Sequence, residues 1–180
     1  MKNLIFIGGA MGTGKTTVSY MLTDKLKKSV MLDGDWTAWQ GCNWNRCATN
    51  INMQLKNINF LLNSFMENDT FENIIFCWAL SNKDVYDSIL NKLNKYKYNF
   101  YNISLICDKT TLYDRMLKRE ILDYPNLTVE ECKFQIQKLY AESLSILNNY
   151  FNLDTIKIDT SKLNKSNVLS EILKVLDFEG

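Results

Sequence analysis

The spacing of apolar residues changes period repeatedly along the chain, from the unbroken runs of buried strands to the three-and-four rhythm of helices. Leu4-Ile5-Phe6-Ile7 predicts a first strand. Val18, Met21, Leu22 and Leu26 then stripe a first helix, whose last turn Lys27-Lys28 close favourably for its dipole. Residues 29–32 predict a second strand, and Ile51, Leu55, Ile58, Leu62 and Phe65 place a helix over about 47–66. A third strand covers 73–80, apolar enough to be buried on both faces, and Val85, Ile89, Leu93 and Tyr96 mark the helix after it. A fourth strand over 100–107 leads to a helix over 112–121, which Tyr124-Pro125-Asn126 ends. Thr128 and Glu131 have the spacing of a capping box and open a helix that runs to Asn148. A fifth strand over 155–158 follows, and Val168, Ile172, Val175 and Leu176 stripe a last helix.

No repeat, linker or low-complexity stretch interrupts this alternation. Strands that alternate with helices through short loops predict a parallel sheet covered on both faces, a three-layer α/β/α domain over 1–180. In such folds ligands gather at the carboxyl ends of the strands. The loop after the first strand, Asp33-Gly34-Asp35, the Trp78 region, Asp108 and Asp159-Thr160 all fall there.

At 180 residues such a chain buries about 70% of the surface its unfolded form exposes. Its net charge of +1, spread without basic blocks, argues for a small-molecule partner and against a nucleic-acid track. Five cysteines in irregular positions argue for a reducing compartment. With no histidine and no C-x-x-C pair, Cys42 and Cys47 do not predict a zinc site. The first strand begins almost at Met1, leaving no room for a signal peptide, and the longest apolar run is far short of a membrane span. The expectation is a cytoplasmic protein without a membrane partner, monomeric or homodimeric.

The loop between the first strand and helix reads Gly9-Ala10-Met11-Gly12-Thr13-Gly14-Lys15-Thr16 and fits G-x-x-x-x-G-K-[ST] at every fixed position. Its glycines let backbone N–H groups approach phosphate oxygens. The helix N-terminus, with Lys15, Thr16 and Thr17, adds its dipole and unpaired N–H groups. Lys15 is expected to reach the β- and γ-phosphates, and the Thr16 hydroxyl to ligate a bridging Mg²⁺.

Phosphoryl transfer also needs a carboxylate near the metal, a group facing the acceptor and cations for the transferring phosphate. The third strand ends Cys77-Trp78-Ala79-Leu80 and offers no acid. Asp33 is therefore the candidate for the metal shell. Asp35, past a flexible glycine, is the candidate base or orienter for an acceptor hydroxyl, although the two assignments can exchange and Asp-Gly-Asp also suits a plain polar turn. Trp36, Trp39 and Trp44 lie in the loop that follows and offer flat faces for a ring, or ordinary packing. Of the three arginines, Arg115 and Arg119 share a helix face. They suit a lid over about 109–128, or a solvated face with Asp114 and Glu120 as partners.

Gly9 to Thr16, Leu32-Asp33-Gly34-Asp35 and Leu112-x-x-Arg115-x-x-x-Arg119, in this order, resemble the small P-loop kinases. That group spans nucleoside monophosphate, shikimate, gluconate and adenylylsulfate kinases and antibiotic phosphotransferases. The resemblance runs over nearly the whole chain, and the glycine loop is its specific part. It implies a five-stranded parallel sheet, a mobile lid, ATP with Mg²⁺, and Lys15, Arg115 and Arg119 neutralising the phosphoryl group while Asp35 faces the acceptor. It also implies that Asp159-Thr160-Ser161 frames the adenine.

Departures from those families narrow the acceptor. Only Arg46 lies outside the lid segment to clamp an acceptor phosphate, and Trp36-Thr37-Ala38-Trp39 stands where adenylylsulfate kinases carry asparagine and arginine. The leading expectation is an ATP-dependent kinase acting on a hydroxyl of a small, uncharged or weakly charged molecule, with Asp35, Trp36, Trp39 and Arg46 at the acceptor. The alternatives are a nucleoside or nucleotide kinase using Arg46, and a regulatory module that binds a nucleotide without catalysis. No guanine-specific motif appears, so ATP is the default over GTP.

Overall fold

Strand β1 (Lys2–Gly9) is buried almost from end to end because it is the centre of the sheet. The computed structural model describes residues 1–38, 45 and 47–177. In chain order β1 is followed by α1 (Lys15–Lys25), β2 (Ser29–Asp33), a 3₁₀ turn (Gly34–Thr37), α2 (Ala48–Glu67), β3 (Asn73–Cys77) and α3 (Lys83–Asn91). Then come β4 (Tyr98–Ile106), α4 (Lys109–Asp123), α5 (Val129–Asn152), β5 (Ile156–Asp159) and α6 (Lys165–Val175). The five strands form one parallel sheet in the order β2-β3-β1-β4-β5.

The unbroken apolar runs have a reason in this topology. Leu4 and Phe6 of β1 join Ile74 and Phe76 of β3 under α2 and α3, while Ile5, Ile7 and Ile75 face α1 and α6. Each fully buried side chain of this kind contributes about 1.5–3 kcal/mol, so neither face of the sheet tolerates a polar exchange. A third cluster, with Ala10, Leu112, Met116, Ile136 and Leu147, fastens the α4–α5 pair beside the glycine loop. The capping box at Thr128 and Glu131 is formed: each residue's side chain accepts from the other's backbone N–H.

Register is set at the amino end of the sheet by a device that periodicity does not report. Asn3 Nδ2 donates to Asn73 Oδ1 at 2.8 Å, and Asn99 Nδ2 donates to Asn3 Oδ1 at 2.9 Å. These asparagines are aligned partners across β3, β1 and β4. A slip by one residue would break both bonds, which are partly shielded from water.

Several predicted boundaries move. The third strand stops at Cys77: Trp78 N–H makes the last rung to Ile7 O, and the Trp78 indole reaches Asp35 on the rim. The helix after it stops at Asn91, so Leu93 and Tyr96 pack from a turn. Lys27 and Lys28 lie beyond α1, which Leu26 caps, and Lys28 takes φ 50. The long α5 continues past Asn148 to Asn152. No helix among the described residues is long and apolar enough to cross a membrane.

Candidate functional site

The sheet order places the end of β1 between β3 and β4, and the chain leaves it into the glycine loop. Gly9, Gly12 and Gly14 have φ of 149, 90 and 97, a region that L side chains rarely enter. A Cβ on Gly9 would also lie 2.5 Å from Thr13 Oγ1 and 2.7 Å from Leu105 O. Thr13 Oγ1 in turn donates to Ala10 O at 2.8 Å and ties the loop to itself. Gly14 caps α1 without any side-chain bond to its first turn. The N–H groups of Lys15, Thr16 and Thr17 are therefore without partners among the described residues and point out of a helix N-terminus.

Lys15 crosses back over the loop, its Nζ donating to Ala10 O at 3.0 Å. Burial of this ammonium draws its pKa below the ordinary lysine value, against the opposing pull of Cys77, Asp35 and Asp33. Thr16 Oγ1 donates to Asp33 Oδ2 at 3.0 Å, joining the helix start to the end of β2. Asp33 is buried, and its other oxygen accepts from Asp35 N at 3.0 Å. Cys77 stands at the end of β3, with Sγ 3.8 Å from Asp33 Oδ2 and 3.9 Å from Thr16 Oγ1. Burial first, and the Asp33 carboxylate second, push its thiol up to about 11. The thiol keeps its proton at neutral pH and serves the carboxylate as a donor.

Asp35 is exposed and reached from the next strand, because Trp78 Nε1 donates to its Oδ1 at 3.0 Å. The Trp78 indole lies on Gly34, where a Cβ would meet the ring at 2.4 Å. Gly34 is thus a packing requirement, beyond the flexibility that the sequence suggests for it. Gln54 on α2 fixes the same turn through Nε2 to Gly34 O at 2.9 Å. Replacing Gly34 by alanine is expected to lower stability by about 1–3 kcal/mol through this overlap. Chemical denaturation measures it, and a loss below about 0.5 kcal/mol would show that the indole moves aside freely.

A cavity of about 470 Å³ runs from the glycine loop past Asp33 and Asp35 to α5, where Glu142, Ser143 and Ile146 close it. Arg115 and Arg119 line it from α4. Arg115 is held by two bonds to Thr160, to Oγ1 at 2.9 Å and to the carbonyl at 2.7 Å. Arg119 approaches Met11 Sδ at 3.1 Å and Asp123 at 3.9 Å. Asp123 is therefore the ionic partner on that helix, in place of the expected Asp114 and Glu120. Asp159 and Ser161 bond one another beside Thr160, and Ser161 also accepts from Asp108 N. Trp36 is exposed, its ring 5.9 Å from that of Tyr20, and does not line the cavity. Trp39, Cys42, Trp44 and Arg46 lie outside the described residues.

The Trp78 region falls on the rim in the sequence reading, whereas Gln54, Glu142 and Ser143 are not readable as site residues from motif alone. A signal existed for two of them: Gln54 continues the stripe Ile51, Ile58, Leu62, and Ser143 falls between Leu139 and Leu147. A polar residue on a buried stripe marks a place where the helix faces something other than the core.

The sequence matches the model of a family described as the AAA domain over residues 5–132. No curated protein matches it. Among solved structures, a sugar kinase from Janibacter sp. HTCC2649 superimposes with a TM-score of 0.69 at 16% identity, covering 99% of this chain and 96% of that one. The Deinococcus radiodurans tunicamycin resistance protein gives 0.64 at 16% identity, with 98% and 96% covered. Shikimate kinase from Acinetobacter baumannii, solved with shikimate, gives 0.63 at 14% identity, with 99% and 96% covered. At such identities the likeness is one of fold, and it is to the P-loop kinases over nearly the full chain. With its glycine loop intact inside the matched segment, the chain belongs to the AAA domain family of P-loop proteins.

Proposed function

We propose that the protein is an ATP- and Mg²⁺-dependent kinase that transfers the γ-phosphoryl group to a hydroxyl of a small molecule. The observation that carries this reading is the contact of Thr16 Oγ1 with Asp33 Oδ2 at 3.0 Å, next to unpaired N–H groups at the start of α1. A strand–turn–helix that bound nothing would have no use for a lysine folded back over the loop and a buried acid in that place.

The residues suit Mg²⁺. It takes oxygen donors, and Thr16 with Asp33 supplies two, while the protonated Cys77 thiol is no competitor. Among the described residues no group of three or more Asp, Glu, Cys or His could hold a metal ion, so the remaining ligands would be phosphate and water oxygens. When bound, Mg²⁺ offsets charge on the phosphate oxygens.

Lys15 and the N–H groups of Gly14 to Thr17 would hold the phosphates, and Arg119 would meet charge that develops on the transferring group. Arg115, anchored on Thr160, would set the position of α4 and present its remaining N–H groups. The acceptor oxygen forms its bond to the γ-phosphorus as the bond from that phosphorus to the bridging oxygen of ADP breaks. The hydroxyl proton passes to Asp35. Trp78 holds Oδ1 of that carboxylate, which leaves Oδ2 to receive it.

The acceptor wall supports the substrate class. Asp35 and Glu142 line the cavity, and with Lys15, Arg115 and Arg119 given to the nucleotide no lining cation is left over for a phosphate- or carboxylate-bearing acceptor, which favours a neutral polyol or an amine-bearing molecule. A panel of such hydroxyl compounds, read by ADP release with Mg²⁺ and set beside nucleosides and their monophosphates, tests this. Turnover is expected with neutral or cationic acceptors. Turnover confined to nucleoside monophosphates would make it a nucleotide kinase, and ATP binding without ADP release across the panel would favour the regulatory module.

A further inference from the structure

A second cavity, of about 390 Å³, lies on the α3 and α5 side of the sheet and has no part in the phosphate chemistry above. Its floor is the apolar surface of Phe6, Phe76 and Leu80, all buried in the core, and its wall toward the other cavity is Trp78. The volume falls in the range of small-molecule sites, which are mostly apolar with a few convergent polar groups. Such groups are present. Asn102 sits on β4 as the register partner of Phe6 and donates from Nδ2 to the Tyr86 hydroxyl at 2.9 Å. Among the described residues the Tyr86 hydroxyl proton and Asn102 Oδ1 have no partner, so one donor and one acceptor remain unused beside an apolar floor. Burial pushes the Tyr86 phenol up to about 12, which keeps that proton in place at neutral pH.

The charges at the mouth limit what enters. Asp154 lines it without an ionic partner among the described residues, and Lys83 is already paired with Asp87 at 2.5 Å. An anion is repelled by the first and not captured by the second, and a cation seated on the apolar floor would lose its hydration without a charged partner there. Gly8 is part of the same construction. A Cβ there would lie 2.8 Å from the Tyr150 ring, so the glycine lets that ring seal the cavity against β1.

From this geometry we infer a second ligand site, which takes a neutral compound of one or two rings bearing a single hydrogen-bonding group, held by Tyr86 and Asn102 over Phe6, Phe76 and Leu80. Trp78 is the wall common to both cavities and donates to Asp35, so occupancy of this site reaches the other one through that indole. The site does not depend on what the glycine loop holds.

The probe is 2-naphthol, two fused rings with one hydroxyl, titrated into the protein without nucleotide and followed by NMR. Intermolecular NOEs are expected from the naphthol protons to Leu80 methyls and the Phe76 ring, with a shift of the Trp78 indole N–H, identified by its loss in Trp78→Phe. Asn102→Phe, which fills the floor, is expected to weaken binding at least about tenfold, and Tyr86→Phe about threefold. Absence of saturable binding up to the solubility of 2-naphthol would overturn the site. So would NOEs to Met11, Thr16 or Ile146 of the other cavity in place of Leu80, a result that needs no variant to fold. NOEs to Leu80 with an unmoved Trp78 indole would keep the site and remove the coupling. Failure of every hydroxyl acceptor to be phosphorylated would leave these measurements unaffected.

Discussion

Lys15→Met is expected to weaken nucleotide binding roughly a hundredfold and, at the same time, to stabilise the protein without nucleotide. The ammonium lies across the glycine loop with Ala10 O as its hydrogen-bond acceptor, and its burial outweighs the attraction of Asp33 and Asp35. In the absence of a phosphate it is an unfavourable charge, and methionine keeps the stem while removing it. A gain of about 1 kcal/mol is expected by thermal or chemical denaturation. With ATP and Mg²⁺ the order reverses. The variant loses charge-assisted bonds together worth about 3 kcal/mol, roughly a hundredfold in affinity, and with them the upward shift in Tm that ligand gives the natural protein.

The sign of the pH dependence follows. The folded-state pKa of Lys15 lies below that of the unfolded chain, so between the two values the unfolded chain holds the extra proton and stability rises with pH. Through that alkaline window the natural protein should gain on Lys15→Met, and the difference in Tm between them should narrow. A variant less stable than the natural protein at neutral pH would show that the ammonium is satisfied without a ligand.

Local chemistry made most of the fold legible. A buried parallel strand cannot hide its composition, since both faces must be apolar, and β1 and β3 were readable for that reason. The capping box at Thr128 and Glu131 was readable because its partners are three residues apart. What escaped was set by distant contacts. The ladder Asn3, Asn73, Asn99 joins residues some 70 and 96 apart in sequence, and three scattered asparagines look like surface polarity until the register is known. The early end of β3 goes with the side-chain partner Trp78 finds across the rim, which is Asp35.

The site divides along the same line. Gly9 to Thr16 carry their geometry in eight consecutive residues, so the loop declares itself. Thr16 and Asp33 are 17 residues apart, yet the expectation that Asp33 must serve for want of an acid on β3 came from the topology and the composition of Cys77-Trp78-Ala79-Leu80 together. Gln54, Glu142 and Ser143 reach the cavity from helices whose rotation about their axes no motif records. Gly34 is ambiguous in the sequence because glycine serves both freedom and close approach, and only the position of an indole 44 residues away distinguishes them.

The largest expected effect on turnover belongs to Asp35 and the indole that holds it. Asp35→Asn keeps the size of the side chain and can still accept from Trp78 Nε1, but it cannot take the acceptor proton. With whichever acceptor supports turnover, kcat is expected to fall at least about a hundredfold, with ATP affinity and Tm close to those of the natural protein. Trp78→Phe retains a ring against Gly34 and removes only the N–H that donates at 3.0 Å. Oδ1 then loses its tether and the carboxylate can rotate, so kcat should fall about tenfold while KM for ATP stays constant. If Trp78 acts through Asp35, the double variant Trp78→Phe, Asp35→Asn should be no slower than Asp35→Asn alone, because the tether has nothing left to orient. Additive losses would mean that the indole contacts the acceptor itself, and an Asp35→Asn variant with undiminished kcat would return the base assignment to Asp33 or Glu142, the other two carboxylates of the cavity.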